Sequence, residues 1–319
     1  MSEPTIKADR PPVPAATPII SFSPITFEVP ERTAVMEIRV VSPAMGSNLP
    51  IILLSHGHGA SNFLASMRGY GPLADFYAAH GFVVILPTHQ DSKTLALDPH
   101  GPEGALFWRS RTQDMRFILD HLDEIEAAVP GLAGRLDKDR IAAVGHSLGA
   151  HTVAMLAGMR VTDARTGEVV DLSEPRIKTA IMFSPPGDDT DRADWIREHY
   201  PELSGNDFST MTLPSLVVTG TKDFHPFFSE REDWRADAYK LAPGPKSLLM
   251  LSEAEHLFGG ISGYDAKETS DENPALVAAI QRITWAYLRT GLYPDDESWG
   301  VIVEELEKEQ DPVGYIKSK

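Results

Sequence analysis

The stretch Ile141-Ala-Ala-Val-Gly-His-Ser-Leu-Gly-Ala150 constrains this chain more than any other. An apolar run, Ile141 to Val144, reads as a buried strand, and the small residues after Gly149 read as the start of a helix. Between them lies Gly145-His146-Ser147-Leu148-Gly149, so the order is strand, Gly-x-Ser-x-Gly, helix. Such a turn forces the backbone of Ser147 into strain, and Gly145 and Gly149 leave room where a Cβ would strike its neighbours. The hydroxyl then points out of the sheet, beside the unpaired N–H groups that open the helix. A chain of 319 residues meets the bare pattern by chance about one time in ten. The flanking strand and helix carry the weight.

A serine hydroxyl is a poor nucleophile at neutral pH. It needs a histidine to take its proton and a carboxylate to hold that histidine's tautomer. Behind an elbow these partners follow later strands, acid first and histidine second. Asp223 follows the apolar Leu216-Val-Val-Thr219, and His256 follows Leu248-Leu-Met-Leu251. A lone Asp or His in a loop is usually a solvated residue, but this pair stands in the required order after successive strands. Ser147, Asp223 and His256 are therefore the expected catalytic residues. Asp188 or Asp189 is the competing acid, although Pro185-Pro186-Gly187-Asp188-Asp189-Thr190 also reads as a plain turn. His225 is too near Asp223 in sequence to be its partner, and His146 points away from the nucleophile as structural support.

A tetrahedral oxyanion needs donors. The backbone N–H of Leu148 is one candidate. The other is the N–H of His58, in the loop His56-Gly-His-Gly59, whose glycines permit close approach. His56, His58 and His89 also invite a zinc reading, but no carboxylate or thiolate accompanies them at metal spacing, so no metal is expected. The aromatic residues Phe63, Trp108, Phe183, Phe224, Phe227 and Phe258 lie near strand ends or the oxyanion loop. Core packing is the default for any one of them. Together they are the candidate walls of an apolar acyl or aryl groove.

The remainder reads as one α/β domain over residues 21–292. Alternating segments at Ile25–Val29 and Ala34–Val41 predict an antiparallel start to the sheet. Leu49–Ser55, apolar throughout, and Phe82–Leu86 predict buried strands of a mainly parallel sheet. Helices are expected over Tyr70–His80, Arg109–Ala128, from the elbow to Met159, and from Asn273 to Gly291. Further strands are expected at Ile177–Phe183, Ser215–Thr219 and, last, Ser247–Leu251. Strands alternating with helices predict a doubly wound sheet covered on both faces. Residues 1–20 read as a flexible Pro-rich arm, residues 88–107 as a loop over the sheet edge, residues 184–213 as a lid, and residues 293–319 as an acidic tail with a short surface helix at Val301–Leu306.

Twenty-nine Lys and Arg against 46 Asp and Glu give a net charge of −17, a field that repels nucleic acid and anionic membranes. With no cysteine there is no disulfide, no thiolate metal site and no cysteine nucleophile. The polar N-terminus lacks a signal-peptide core and no apolar run approaches membrane-spanning length, so a cytoplasmic protein without membrane insertion is expected.

At the His56-Gly-His-Gly59 loop, Gly145-His-Ser-Leu-Gly149, Asp223 and His256, the chain resembles the α/β-hydrolases over roughly residues 25 to 290. Within them it looks like the dienelactone-hydrolase-like branch that includes the platelet-activating-factor acetylhydrolases, which carry a similar Ser-His-Gly-x-Gly loop, here Ser55 to Gly59. The resemblance implies the α/β-hydrolase fold and hydrolysis of short-chain acyl or aryl carboxylic esters through an acyl-enzyme, with no cofactor and a small-molecule ester as partner. It departs from true dienelactone hydrolases, whose nucleophile is a cysteine. Lactonase, thioesterase or amidase activity on the same triad, or a non-catalytic binding protein of this fold, are the alternatives.

Overall fold

A computed structural model describes residues 13–263, 266–310 and 312–319. Residues 1–12 of the expected arm lie outside these. Strand β1 (Ile19–Phe27) begins at Ile19, inside the segment expected to be an arm. It pairs antiparallel with β2 (Met36–Pro43), which gives the sheet its antiparallel start. Two fully buried strands follow: β3 (Leu49–Ser55) and, after helix α1 (Gly71–Ala79), β4 (Val83–Pro87). Gly81, at φ 102°, turns the chain out of α1 in a conformation that glycine adopts without steric cost.

The expected helix over Arg109–Ala128 is two helices, α2 (Trp108–Asp120) and α3 (Leu122–Ala128). His121 divides them. Its Nδ1 bonds the Phe117 carbonyl at 2.8 Å, and its N–H turns to Ile118 instead. A side chain that takes the i−4 carbonyl breaks the ladder. Next come β5 (Leu136–His146) and α4 (Leu148–Leu156), on either side of Ser147.

The segment after α4 holds what the sequence did not indicate: short strands β6 (Arg160–Thr162) and β7 (Val169–Val170). They form a small antiparallel sheet with β9 (Asn206–Asp207), which follows β8 (Ile177–Phe183) and α5 (Asp194–His199). Two- and three-residue strands are too short to leave a periodic signal. Then come β10 (Ser215–Gly220), α6 (Asp237–Leu241), β11 (Lys246–Leu251) and α7 (Pro274–Leu292), whose first turn is capped by Asn273 accepting from the Leu276 N–H at 3.0 Å. The chain closes with α8 (Ser298–Lys308) and β12 (Gly314–Ser318). So β11 is not the last strand. The acidic stretch after residue 293 ends by pairing antiparallel with β11 at the sheet edge.

Among the described residues the main sheet runs β1-β2-β4-β3-β5-β8-β10-β11-β12, parallel from β4 through β11. Alternate residues of each inner strand face opposite layers. Ile51, Leu53, Ala143 and Met182 pack with α2, α3 and α4 on one side. Ile52, Leu54, Val144 and Phe183 pack with α1 and α7 on the other. A sheet apolar on both faces can be satisfied only this way, so the fold is the expected doubly wound sheet with helices on both faces. Because the inner strands are parallel, their C-terminal ends share one edge, where Ser147, Ser184, Asp223 and His256 follow in turn. No helix among the described residues is long and apolar enough to cross a membrane.

The edge strand β12 covers unpaired groups of β11 across five Cα pairs. At about 0.2–1 kcal/mol per cross-strand pair, deleting residues 312–319 is expected to remove a few kcal/mol and bare an aggregation-prone edge. Thermal melts and light scattering check this; an unchanged midpoint with no added scattering contradicts it.

Candidate active site

The site is built on a turn that only glycines permit. A Cβ on Gly145 would lie 2.1 Å from the Gly149 carbonyl oxygen, and one on Gly149 would lie 2.1 Å from that of Ser55. Helix α4 therefore rises directly against β3 and β5. Ser147 between them has φ 54° and ψ −117°, a conformation that costs a non-glycine residue about 1–3 kcal/mol. Its N–H donates to the Phe183 carbonyl at 2.8 Å, and its carbonyl accepts from Ala150 at 2.9 Å. These bonds hold the strain in place.

His256 Nε2 is 3.0 Å from Ser147 Oγ, and its Nδ1 is 2.8 Å from Asp223 Oδ1. The three residues come from the ends of β5, β10 and β11. Asp223 is buried. Burial alone would raise its pKa, but the charge and hydrogen bond of His256, with Arg235 and a hydrogen bond from Ser184, bring it down to about 2. Thr219 donates to its second oxygen at 3.1 Å. Asp188 and Asp189 are engaged elsewhere: Asp188 pairs with Arg231 and accepts from Thr190, and Asp189 pairs with Arg192 and accepts from the Gly205 N–H. His225 is exposed, its ring 5.2 Å from Phe227 and 5.5 Å from Phe228.

Ser184 was not singled out from the sequence. It is fully buried in the left-handed region at φ 53°, with Oγ 2.8 Å from His256 Nδ1. The signal available was its place at the C-terminal end of a parallel strand.

His146 has the supporting role expected of it. One ring nitrogen, Nε2, is 2.9 Å from the His256 carbonyl oxygen, and Nδ1 is 2.8 Å from the Tyr70 hydroxyl. That hydroxyl accepts the Gly57 N–H at 2.9 Å. A proton on Nε2 of His146 satisfies every bond in the chain: Nε2–H donates to His256, Tyr70 donates to Nδ1, and Gly57 donates to Tyr70. One string of hydrogen bonds thus ties the glycine loop to the backbone of His256. Burial, then the charge of His256, lowers the His146 pKa to about 3, so the ring stays neutral.

Residues 88–92 do not pass over the sheet edge; they are buried beneath the glycine loop. They carry the polar network that supports it. Arg111, fully buried, ion-pairs with Asp91 and donates to the His56 carbonyl. Asp91 accepts from His58 Nδ1 at 2.9 Å. Burial opposes ionisation of Asp91, yet the Arg111 charge and the His58 hydrogen bond hold it well below the usual carboxylate range. Both nitrogens of His56 and of His89 are in hydrogen bonds, to Gly57 and His89 for the first and to Ser55 and Asp114 for the second. The histidines that invited a zinc reading are parts of this network, and no group of three or more such ligands comes together among the described residues.

Beside Ser147 lies a cavity of about 270 Å³. His58 and Leu148 line it, as does an aromatic wall of Trp195, Tyr200, Phe228 and Trp234. None of Phe63, Trp108, Phe183, Phe224 and Phe258 lines it. Trp108, Phe183 and Phe258 are consumed by core packing, with Phe183 and Phe258 in edge contact at 5.7 Å. Phe63 and Phe224 are each 38% exposed, outside the cavity wall. Residues near strand ends in sequence are often the top layer of the core, and a wall built from a long connection has no marker of its own. The connection from Ser184 to Leu213 supplies Trp195, Tyr200 and Leu203 to this wall.

A sequence model of the alpha/beta hydrolase family matches residues 51–314. No curated protein matches the chain.

The buried histidines set a pH limit on stability. His146 falls to about 3 and His151 to about 4, burial being the main cause in each, and His56 and His89 lie well below 6.5 for the same reason. Folded, these rings refuse a proton that the unfolded chain would take below pH 6.5, so their contribution is complete above that pH and is lost as pH falls toward the folded values. Each pKa unit is worth about 1.4 kcal/mol. Asp114, pushed up to about 6 by burial, works in the opposite direction and offsets part of the loss. Denaturant midpoints are expected to drop between pH 6.5 and about 4; a flat profile across that window contradicts this reading.

Proposed function

Because the chain belongs to the alpha/beta hydrolase family, we propose that it is a serine hydrolase cleaving short-chain acyl or aryl carboxylic esters. The observation that carries this is the line Ser147–His256–Asp223, with contacts of 3.0 and 2.8 Å, opening on a cavity. Ser147 Oγ attacks the ester carbonyl while His256 Nε2 takes its proton. Asp223 fixes the tautomer with a proton on Nδ1 and stabilises the imidazolium that forms. The N–H groups of Leu148 and His58 receive the oxyanion; Leu148 opens α4, where an N–H has no partner within the helix. His256 then protonates the departing alcohol, and water repeats the sequence on the acyl-enzyme to release the acid. The reaction needs no cofactor.

The cavity favours small acyl groups. At about 270 Å³ it lies just under the usual range for ligand pockets, about 300–1,000 Å³, and its wall is aromatic.

Ser147→Ala is expected to lower kcat by roughly 10⁴-fold or more with an unchanged thermal midpoint. A fluorophosphonate should label the wild-type protein and not this variant. Asp223→Asn should lower kcat by roughly 10³–10⁴-fold, because the histidine loses its tautomer. Assays with 4-nitrophenyl esters of two to sixteen carbons (chosen chain lengths, roughly spanning short to long acyl groups) check both, and substantial activity in Ser147→Ala would overturn the assignment.

A further inference from the structure

The cavity beside Ser147 has an electrostatic character opposite to that of the chain. The protein carries a net charge of −17, yet no Asp or Glu is among the residues lining this cavity, whereas Arg235 and Lys93 both are. Surface cations in so acidic a chain readily find carboxylates. Lys93, exposed at the lining, pairs with none among the described residues.

Arg235 is the stronger observation. Its side chain is 7% exposed, and it forms one hydrogen bond among the described residues, from Nη1 to the Ser184 carbonyl at 3.2 Å. Asp223 lies 3.9 Å from its Nε, too far for a hydrogen bond, and Asp223 already satisfies His256 and Thr219. The guanidinium is held by Trp234 and Phe228, whose ring centroids are 5.0 and 5.1 Å from its central carbon. These rings order the side chain without using its N–H donors. A guanidinium has donors arranged as a fork, and the donors of Arg235 that have no protein acceptor open on the cavity, where a bound acceptor can reach them. The acceptor that matches it is a planar carboxylate, bound by two parallel bonds.

We propose that the substrate is a small ester carrying a carboxylate on its acyl or alcohol part, with that carboxylate bound by Arg235 and attracted by Lys93. This rests on the serine-hydrolase reading and deepens it. Burial of the carboxylate beside aromatic rings strengthens its contact with Arg235, and the same contact sets the ester carbonyl against Ser147. A neutral ester of the same shape leaves the fork unfilled and is discriminated against for that reason.

The test compares matched pairs in a pH-stat: monoethyl succinate against ethyl 4-methylpentanoate for the acyl side, and acetoxyacetate against isobutyl acetate for the alcohol side. In the wild-type protein, kcat/KM for the carboxylate ester of at least one pair is expected to exceed its neutral partner by about tenfold or more. Arg235→Gln should reduce that ratio by about 10–100-fold, and Lys93→Glu by a few-fold, since an exposed charge is screened. Should Arg235→Gln fail to fold, the wild-type ratio and Lys93→Glu still decide. Neutral esters hydrolysed as well as their carboxylate partners in both pairs, or a ratio that survives both substitutions, would overturn the proposal. Failure of the hydrolase reading looks different: no ester of either kind is cleaved and fluorophosphonate leaves Ser147 unlabelled. The carboxylate site is then read independently by tryptophan fluorescence, from Trp195 and Trp234, as monoethyl succinate or ethyl 4-methylpentanoate is titrated into the Ser147→Ala protein. Tighter binding of the carboxylate supports the site, and equal binding removes it.

Discussion

The close approach of α4 to β3 and β5 is the constraint on which the rest depends. Two carbonyl oxygens stand where the Cβ atoms of residues 145 and 149 would be, so the backbone there has no alternative to glycine without movement of the sheet. That contact sets the height of the helix, and the height of the helix sets Ser147 at the rim with its hydroxyl against His256. The strain at Ser147 is tolerated because β8 accepts its N–H and the helix takes its carbonyl. Everything else at this edge is positioned relative to a residue that cannot relax.

Two buried polar systems extend that rigidity outward. Beneath the glycine loop, Arg111 bridges Asp91 and the His56 carbonyl, so a loop of small residues is supported by charge-assisted bonds in a dry interior. Across the site, Tyr70 and His146 join Gly57 to the backbone of His256. The two loops that flank Ser147 thereby share one scaffold, and both scaffolds are made of groups that would be costly if left unpaired. Removing one partner of either leaves a buried donor or acceptor without a mate.

The cavity is built by a different means. Its wall comes from the connections after β8 and β10, where Ile196, Leu203 and Trp234 form a small cluster of their own with Leu106 and Leu148. This cluster joins the wall to the first residue of α4. The chain therefore mounts a loop-built enclosure on a fixed edge, a division common to folds that carry chemistry at the ends of parallel strands. Arg235 belongs to the enclosure, while Asp223, only 3.9 Å from it, belongs to the edge.

Local chemistry made part of this legible from sequence. The elbow, the buried strand Leu49–Ser55, and the order of Asp223 before His256 could be read because each depends on residue types at short spacing: glycines where a Cβ has no room, unbroken apolarity where both faces are covered, polar residues just past a strand end. The split at His121, the strands of two or three residues and the return of β12 to the sheet could not, since each is decided by a hydrogen bond or a pairing partner that short-range periodicity does not encode. The cavity wall is not legible for the same reason. Phe183 and Phe258 have the residue type of a groove and the proximity in sequence, but which apolar side chains enter the core and which face a cavity is settled by three-dimensional packing. Sequence determined the turn at Ser147. Tertiary structure decided what surrounds it, because Ser184, Arg235 and the aromatic wall acquire their meaning only from distance to residues far away along the chain.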